Sequence, residues 1–153
     1  MILGLLVCGS TAAAPAASAA QETCLVFGTN VNSSLQSAVN AASAGASLLV
    51  IGTCAGDTTV TKNVTITGLG ATLNGGGHGT VLTIDAGATV TINSLIITGG
   101  TGSPMHNELE GGGIVNLGGT VTLNHSTVIG NGANSVDPSD GMNRPGESGD
   151  SVF

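Results

Sequence analysis

Three copies of one short segment decide the fold of this chain: Thr59-Val60-Thr61-Lys62-Asn63, Thr89-Val90-Thr91-Ile92-Asn93 and Thr120-Val121-Thr122-Leu123-Asn124. They start 30 positions apart (59 to 89) and 31 positions apart (89 to 120). A second β-rich run that ends near glycine follows each copy, at 64–68, 95–99 and 127–130. Short strands and glycine turns that recur at this period are typical of a protein that stacks repeated units.

The alternation within each copy predicts which side chains face inward. Successive side chains of a strand point to opposite faces, so the aliphatic and threonine side chains separate. Stacking the copies predicts one inward ladder: Val60, Val90 and Val121. The outer surface then carries Thr59, Thr61, Thr89, Thr91, Thr120 and Thr122. Lys62 falls at an inward position, so we expect the first repeat to bend or open there.

The last residue of each copy predicts a ladder of asparagines at a corner: Asn63, Asn93 and Asn124. Asparagine tolerates the left-handed backbone, and its amide can bond to the next unit of the stack. No helical periodicity recurs after Gly45, which argues against a repeated α/β unit. The sequence therefore predicts an all-β fold, a parallel β-helix forming a short solenoid of about three coils.

One amphipathic helix is predicted before the repeats, at 33–44, as an N-terminal cap. Its apolar stripe consists of Leu35, Ala38, Val39 and Ala42. Ser33 with Gln36 fits a capping box, and Gly45 is a natural stop. We expect the stripe to pack on the apolar run at 48–51.

The first twenty residues have the pattern of a secretory signal peptide. An apolar run at 2–7 leads to the small-residue motif Ala17-Ser18-Ala19, although no Lys or Arg follows Met1. An uncleaved membrane anchor is the alternative. Cleavage predicts a secreted or cell-surface protein without a membrane span. The expected organisation is a signal peptide at 1–20, the cap at 21–57, the coils at 58–132 and a disordered acidic tail at 133–153.

Composition excludes some partners. Charged residues make up 7% of the chain, against about 25% in an average domain. Two basic residues against nine acidic ones give a net charge of −7. Since no basic patch is available to neutralise phosphates, nucleic acid is not an expected partner.

Two cysteines, Cys24 and Cys54, remain after removal of the predicted leader. An oxidising compartment favours a disulfide between them. If the segments 24–27 and 47–54 run parallel, the sulfurs lie too far apart to bond, whereas an antiparallel or bent arrangement allows the bond.

The run 34–42, the strand at 48–51 and Lys62-Asn63-Val64-Thr65-Ile66-Thr67-Gly68 resemble the cap and first coil of bacterial right-handed parallel β-helix proteins of the pectin-lyase-like superfamily. Gly111-Gly112-Gly113-Ile114-Val115-Asn116 and the segment 120–131 resemble repeats of exported polymorphic outer-membrane-protein-like adhesins. The resemblance covers roughly residues 23–132. It implies a right-handed coil and an exported protein, but the fold hosts many functions.

The repeat pattern stops after Asn131, and the tail is almost devoid of apolar residues. A solenoid end normally needs a cap. Three interpretations stay open: a truncated product, end-to-end self-association, or a tail that folds over the opening.

The enzymes of the resembled superfamily are polysaccharide lyases and hydrolases. A pectate-lyase-like site needs clustered carboxylates for Ca²⁺ and a basic side chain, usually Arg. The single Arg, Arg144, is in the predicted disordered tail, and Lys62, the single Lys, has no acidic cluster beside it in sequence. Asp57 and Asp85 resemble turn residues, as do His78 and His125. No catalytic residue, metal or cofactor is predicted.

The loop Met105-His106-Asn107-Glu108-Leu109-Glu110 is the one concentrated polar patch. On an extended backbone, His106, Glu108 and Glu110 face one side and form a candidate ligand-binding group.

These observations predict an exported, non-enzymatic β-helix scaffold, adhesin-like, whose partner is a cell-surface glycan or a protein. A degenerate or truncated pectate-lyase-like enzyme is the alternative. A minor alternative is an ice-binding β-helix, in which the stacked Thr-x-Thr segments order water.

Overall fold

The computed structural model describes residues 23–102 and 111–132 with their side chains, and the backbone of 104–105, 108–109, 134–136 and 143–145. The predicted leader, at 1–20, lies outside the described residues. The elements are β1 (Leu25–Phe27), β2 (Val31–Asn32), α1 (Leu35–Ala41), β3 (Ala46–Ala55), β4 (Thr58–Val60), β5 (Val64–Asn74), β6 (Leu82–Ile84), β7 (Thr89–Thr98), β8 (Pro104–Met105), β9 (Glu108–Leu109), β10 (Ile114–Asn116), β11 (Thr120–Asn124), β12 (Thr127–Val128), β13 (Asn134–Val136) and β14 (Asn143–Pro145).

Parallel pairing dominates the two main sheets. In the larger sheet the strand order is β11-β7-β5-β3-β1-β2, and β12 also pairs with β7. The contacts from β3 through β5 and β7 to β11 and β12 are parallel. In the smaller sheet, β4, β6 and β10 are parallel neighbours. Both sheets are open. For the described residues, the all-β class with one short helix is confirmed.

The second and third copies of the repeated segment stack in register, as predicted. Each residue from Thr120 to Asn124 pairs with its counterpart from Thr89 to Asn93. The two copies therefore occupy equivalent positions on neighbouring strands.

The predicted register of the first copy is wrong. Val90 pairs with Val64, not with Val60. Val60 belongs to the smaller sheet, where it pairs with Ile84. The aliphatic ladder is therefore Val64, Val90 and Val121.

Lys62 explains the shift of register. Its ammonium group donates to the backbone oxygens of Ala42, at 3.0 Å, and Asn40, at 3.3 Å. The last carbonyls of a helix lack partners within the helix, so a lysine there is favourable. Lys62 thus binds the end of the helix. The inward side chains come instead from Val64 and Ile66, which are buried.

The predicted asparagine ladder holds only in part. The side-chain amide of Asn124 donates to Oδ1 of Asn93 at 2.9 Å, and Nδ2 of Asn93 donates to Oγ1 of Thr67 at 3.3 Å. Thr67 takes the place predicted for Asn63. Asn63 instead accepts a hydrogen bond from the backbone N–H of Thr89, 2.8 Å away.

The left-handed backbone also lies elsewhere than predicted. It occurs at the residue after each stacked asparagine, Ser94 (φ 52°) and His125 (φ 50°). Gly52 and Gly70 have the same sign of φ within β3 and β5. Because the registers also shift beside these two glycines, the long strands change direction there.

The helix α1 is shorter than predicted and its cap is Ser34, not Ser33. The Ser34 hydroxyl accepts from the N–H of Ser37 at 3.2 Å, and the helix ends at Ala41, before Gly45. Its apolar stripe is buried as predicted, and the helix contacts β3 and β4.

Gln36 makes a contact that the capping-box interpretation did not foresee. Its Oε1 accepts from the backbone N–H of Thr59 at 2.7 Å, while its Nε2 donates to the Thr59 carbonyl at 3.2 Å. One side-chain amide thus satisfies both backbone groups of a residue on β4, much as a neighbouring strand would.

The strand β1 runs antiparallel to β3, with Val26 opposite Val50. Cys24 and Cys54 form a disulfide with Cα atoms 4.6 Å apart. Of the two arrangements left open by the sequence, the molecule has the antiparallel one.

Within the tail predicted to be disordered, 133–153, the described backbone forms the antiparallel pair β13 and β14. The remaining tail residues lie outside the described part of the chain.

Candidate functional site

A regular set of polar side chains lies on the larger sheet, and we call it the polar face. Thr65, Thr91 and Thr122 occupy one in-register column. Thr67, Asn93 and Asn124 occupy the next. Since Val64, Ile66, Val90 and Ile92 alternate with these residues and are buried, the polar side chains lie on the opposite surface.

Two of the six predicted surface threonines belong to the polar face, and two more lie next to it. Thr91 and Thr122 are part of a column, and Thr89 pairs with Thr120 beside it. Thr59 and Thr61 do not belong. Thr59 lies in the smaller sheet, opposite Thr83, and Thr61 lies outside the strands.

Sequence reasoning missed Thr65 and Thr67. The sequence contained the signal. Val64-Thr65-Ile66-Thr67 alternates aliphatic and polar side chains in the same order as Val90-Thr91-Ile92-Asn93. The segment 59–63 is closer in sequence to the later copies than 64–67 is, so it was assigned to the repeat instead.

The spacing of the polar face is fixed by backbone geometry. Parallel strands lie about 4.8 Å apart, and alternate residues along a strand are about 6.6 Å apart. The polar face is thus a regular grid of hydroxyl and amide groups, and none of its six side chains is charged. The hydrogen bonds from Asn124 to Asn93 and from Asn93 to Thr67 hold one column in place.

A cleft of about 560 Å³ lies where the cap meets the first repeats. It is lined by polar side chains that are distant in sequence, among them Ser33, Asp57 and His78. Asp57 has a left-handed backbone (φ 65°) in the turn between β3 and β4. His78 lies in the turn after β5. Read from the sequence, both residues were simple turn formers.

The walls of the cleft are fixed by the backbone and by the disulfide. Cys24 lines the cleft, and its partner Cys54 lies between the lining residues Thr53 and Ala55. A side chain at Gly75 would come within 2.7 Å of the Gly99 carbonyl oxygen, so the turn packs tightly on the next repeat.

The predicted loop group is not brought to a described site. His106 and Glu110 lie outside the described residues, and Glu108 is described by its backbone, which pairs with Met105 in β9 and β8. Among the residues that the structure describes, no three His, Cys, Asp or Glu side chains cluster in a way that could hold a metal ion.

Among the described residues there is also no helix with the length and apolarity needed to cross a membrane. Comparison with known proteins gives no relative: no family model, no curated protein and no solved structure matches this chain.

Proposed function

We propose that the chain is a right-handed parallel β-helix. Support comes from the way the chain alternates between the two sheets: β3, β5, β7 and β11 are successive parallel neighbours, and β4, β6 and β10 fall between them in sequence. Connections between parallel strands of one sheet are right-handed in about 98% of cases. In such a coil, the stacked side chains of Val64, Val90 and Val121 line the interior.

We propose further that this β-helix is an exported, non-enzymatic scaffold that binds a cell-surface glycan or a protein through the polar face. The observation that carries the proposal is the in-register stacking of Thr65, Thr91 and Thr122. A rigid grid of hydroxyl and amide groups offers hydrogen bonds in fixed positions, with little ordering left to do on binding.

The position of Lys62 favours binding over lyase chemistry. A lyase needs a basic side chain free to take a proton, and the ammonium group of Lys62 is hydrogen-bonded to two carbonyls at the end of α1. Arg144, the other basic residue, is in β14, outside the two main sheets.

A second candidate function, ice binding, rests on the same columns. Hydroxyl groups spaced by about 4.8 Å across strands and about 6.6 Å along them form a two-dimensional lattice. Such a lattice can order a layer of water, and the grid repeats over three strands.

The test is a pair of matched substitutions. Thr91→Lys places a charge in the middle of the polar face, and Thr83→Lys makes the same change at a half-buried position on β6, the central strand of the smaller sheet. We expect Thr91→Lys to lower binding to a glycan array or to bacterial cell walls by about tenfold, and Thr83→Lys to leave binding unchanged.

Equal binding by the wild-type chain and both variants would contradict the polar-face proposal. Inhibition of ice recrystallisation that is lost in Thr91→Lys would favour the second candidate. Release of unsaturated uronate from polygalacturonate with Ca²⁺, lost in Asp85→Ala, would establish a lyase instead.

A further inference from the structure

The cleft between the cap and the first repeats is a second candidate site, separate from the polar face. Its volume of about 560 Å³ falls within the roughly 300–1,000 Å³ of small-molecule sites in proteins. Three parts of the chain form it: Cys24 and Ser33, the segment 53–57, and the turn at 74–79.

Several polar side chains that line the cleft have hydrogen-bonding groups left for a ligand. Within the described part of the chain, those of Ser33, Thr53, Asp57 and His78 hydrogen-bond to no other protein group. Asn74 uses its Oδ1 to accept from the N–H of Gly76 at 2.8 Å, which leaves its two amide hydrogens. The cleft therefore offers a carboxylate, an imidazole, an amide and two hydroxyls.

We propose that this cleft binds a short neutral saccharide of one or two sugar rings. A carboxylate accepts hydrogen bonds from sugar hydroxyls, and the amide, imidazole and hydroxyl groups supply donors. An anionic ligand is disfavoured, because no Lys or Arg is among the described residues that line the cleft and the chain carries a net charge of −7.

A divalent cation fits the same groups less well. Calcium takes six to eight oxygen ligands, usually with several carboxylates. Among the described lining residues, Asp57 supplies the one carboxylate. A saccharide needs no such concentration of charge, so it is the ligand that these residues favour.

Hydrogen bonds and the disulfide hold the walls of the cleft together. The N–H of Gly75 donates to the Thr98 carbonyl at 2.9 Å, and the N–H of Gly77 donates to the Gly99 carbonyl at 2.7 Å, so the turn that carries His78 is anchored to the next repeat. The Cys24–Cys54 disulfide holds the cap side. Rigid walls reduce the entropy cost of binding.

The inference shares its ligand class with the proposed function but rests on different residues, so either can fail alone. The experiment is a titration of the disulfide-bonded full chain with maltose, cellobiose and diacetylchitobiose, followed by the backbone amide signals in NMR. We expect at least one of the three to shift signals of residues 55–57 and 74–79 while those of the polar face stay in place.

Asp57→Asn tests the carboxylate, and Asp85→Asn is its matched control, since Asp85 is also a turn residue but does not line the cleft. Asparagine tolerates the left-handed backbone at position 57, so the variant is expected to fold. We expect Asp57→Asn to weaken saccharide binding about tenfold and Asp85→Asn to leave it unchanged, as loss of a charged hydrogen bond implies.

Three outcomes would overturn the inference. The first is the absence of shifts at the cleft with all three disaccharides at millimolar concentration. The second is equal binding by wild type and Asp57→Asn. The third is that calcium chloride alone produces the shifts and that Asp57→Asn abolishes them, which would assign the cleft to a cation. Loss of glycan binding in Thr91→Lys with unchanged shifts at the cleft would concern the polar face alone.

Discussion

The two ends of the strand array are built very differently. At the end nearest the N-terminus, α1 packs on β3 and β4, Gln36 satisfies the backbone of Thr59, and a disulfide secures β1. At the other end, β11 and β12 add to β7, and no further described strand pairs with them. Their aliphatic side chains, Val121, Leu123 and Val128, are half-buried.

The difference shows what a repeated strand needs for full burial. Ile66, Ile92 and Leu123 occupy one inward column. Ile66 and Ile92, each with strands on both sides, are 1% and 0% exposed. Leu123 has a described neighbour on one side and is half-buried. The same pattern of side chains therefore yields different amounts of buried surface, according to what lies next to it.

The largest expected effect comes from emptying this column at its centre. Ile92→Ala should lower the free energy of unfolding by about 4 kcal/mol, because a fully buried side chain leaves a cavity. Leu123→Ala, the matched change on the last strand, should cost about 1 to 2 kcal/mol. Denaturant unfolding measures both, and equal losses would show that the two positions are equally buried in solution.

Removing the disulfide should rank next. It closes a sequence separation of 30 residues, so the double change Cys24→Ser and Cys54→Ser is expected to cost about 3 kcal/mol. The same loss should appear when the wild-type chain is unfolded with a reductant, whereas the reductant should leave the double variant unaffected. An unchanged unfolding midpoint would mean that the cap does not depend on this bond.

A buried amide strengthens the end that lacks a helical cover. Nδ2 of Asn131 donates to the Ile97 carbonyl at 3.0 Å, and Oδ1 accepts from the N–H of Gly100 at 3.0 Å. Asn131→Ala leaves these backbone groups buried without partners and should cost about 2 kcal/mol.

Asn116 provides the control for Asn131. It is exposed and makes local hydrogen bonds to Gly119, so Asn116→Ala should cost less than about 1 kcal/mol. If the two asparagine variants unfold at the same denaturant concentration, the hydrogen bonds of Asn131 do not stabilise this end of the strand array.

Apart from the Asn116 control, the smallest expected effect is at the capped end. Gln36→Ala removes both hydrogen bonds to Thr59 and should cost about 1 kcal/mol, since these groups are half-buried and water replaces part of the interaction. In hydrogen exchange, the Thr59 amide should then lose protection while amides of β7 keep theirs. Unchanged protection of the Thr59 amide would show that the hydrogen bonds of Gln36 are not needed to protect the backbone of β4.

End-to-end self-association, one of the three interpretations that the sequence left open, can be examined with the same variants. If β11 pairs with a second copy, Leu123→Ala should shift the sedimentation of a dimer towards the monomer, whereas Gln36→Ala should not. A single monomeric species at all concentrations would contradict the prediction.

Much of this architecture is local and was readable in the sequence. Period-two alternation in 89–93 and 120–124 gives the strands, their inner and outer sides, and the pairing of one copy with the next, because alternate residues of a strand always face the same way. The stripe of α1 is equally local, since residues three and four apart share one side of a helix.

Other features depended on contacts between distant residues. The segment 59–63 resembles the later copies, yet Lys62 bonds to the end of α1 and Val64 takes the place of Val60. No local pattern states where the end of a helix will lie relative to a lysine twenty residues later. Ser34 in place of Ser33 as the cap is a one-residue choice of the same kind.

The candidate site divides along the same line. Sequence alone supplied the stacked threonines of the second and third copies, because they belong to one repeating strand. The cleft joins Ser33, Asp57 and His78, which share no sequence pattern. The parallel pairing of β3 with β5 brings together the turns that carry Asp57 and His78. Periodicity determines which side chains of each strand point inward and which point outward. The packing of the cap on the first repeats determines which distant polar groups face one another.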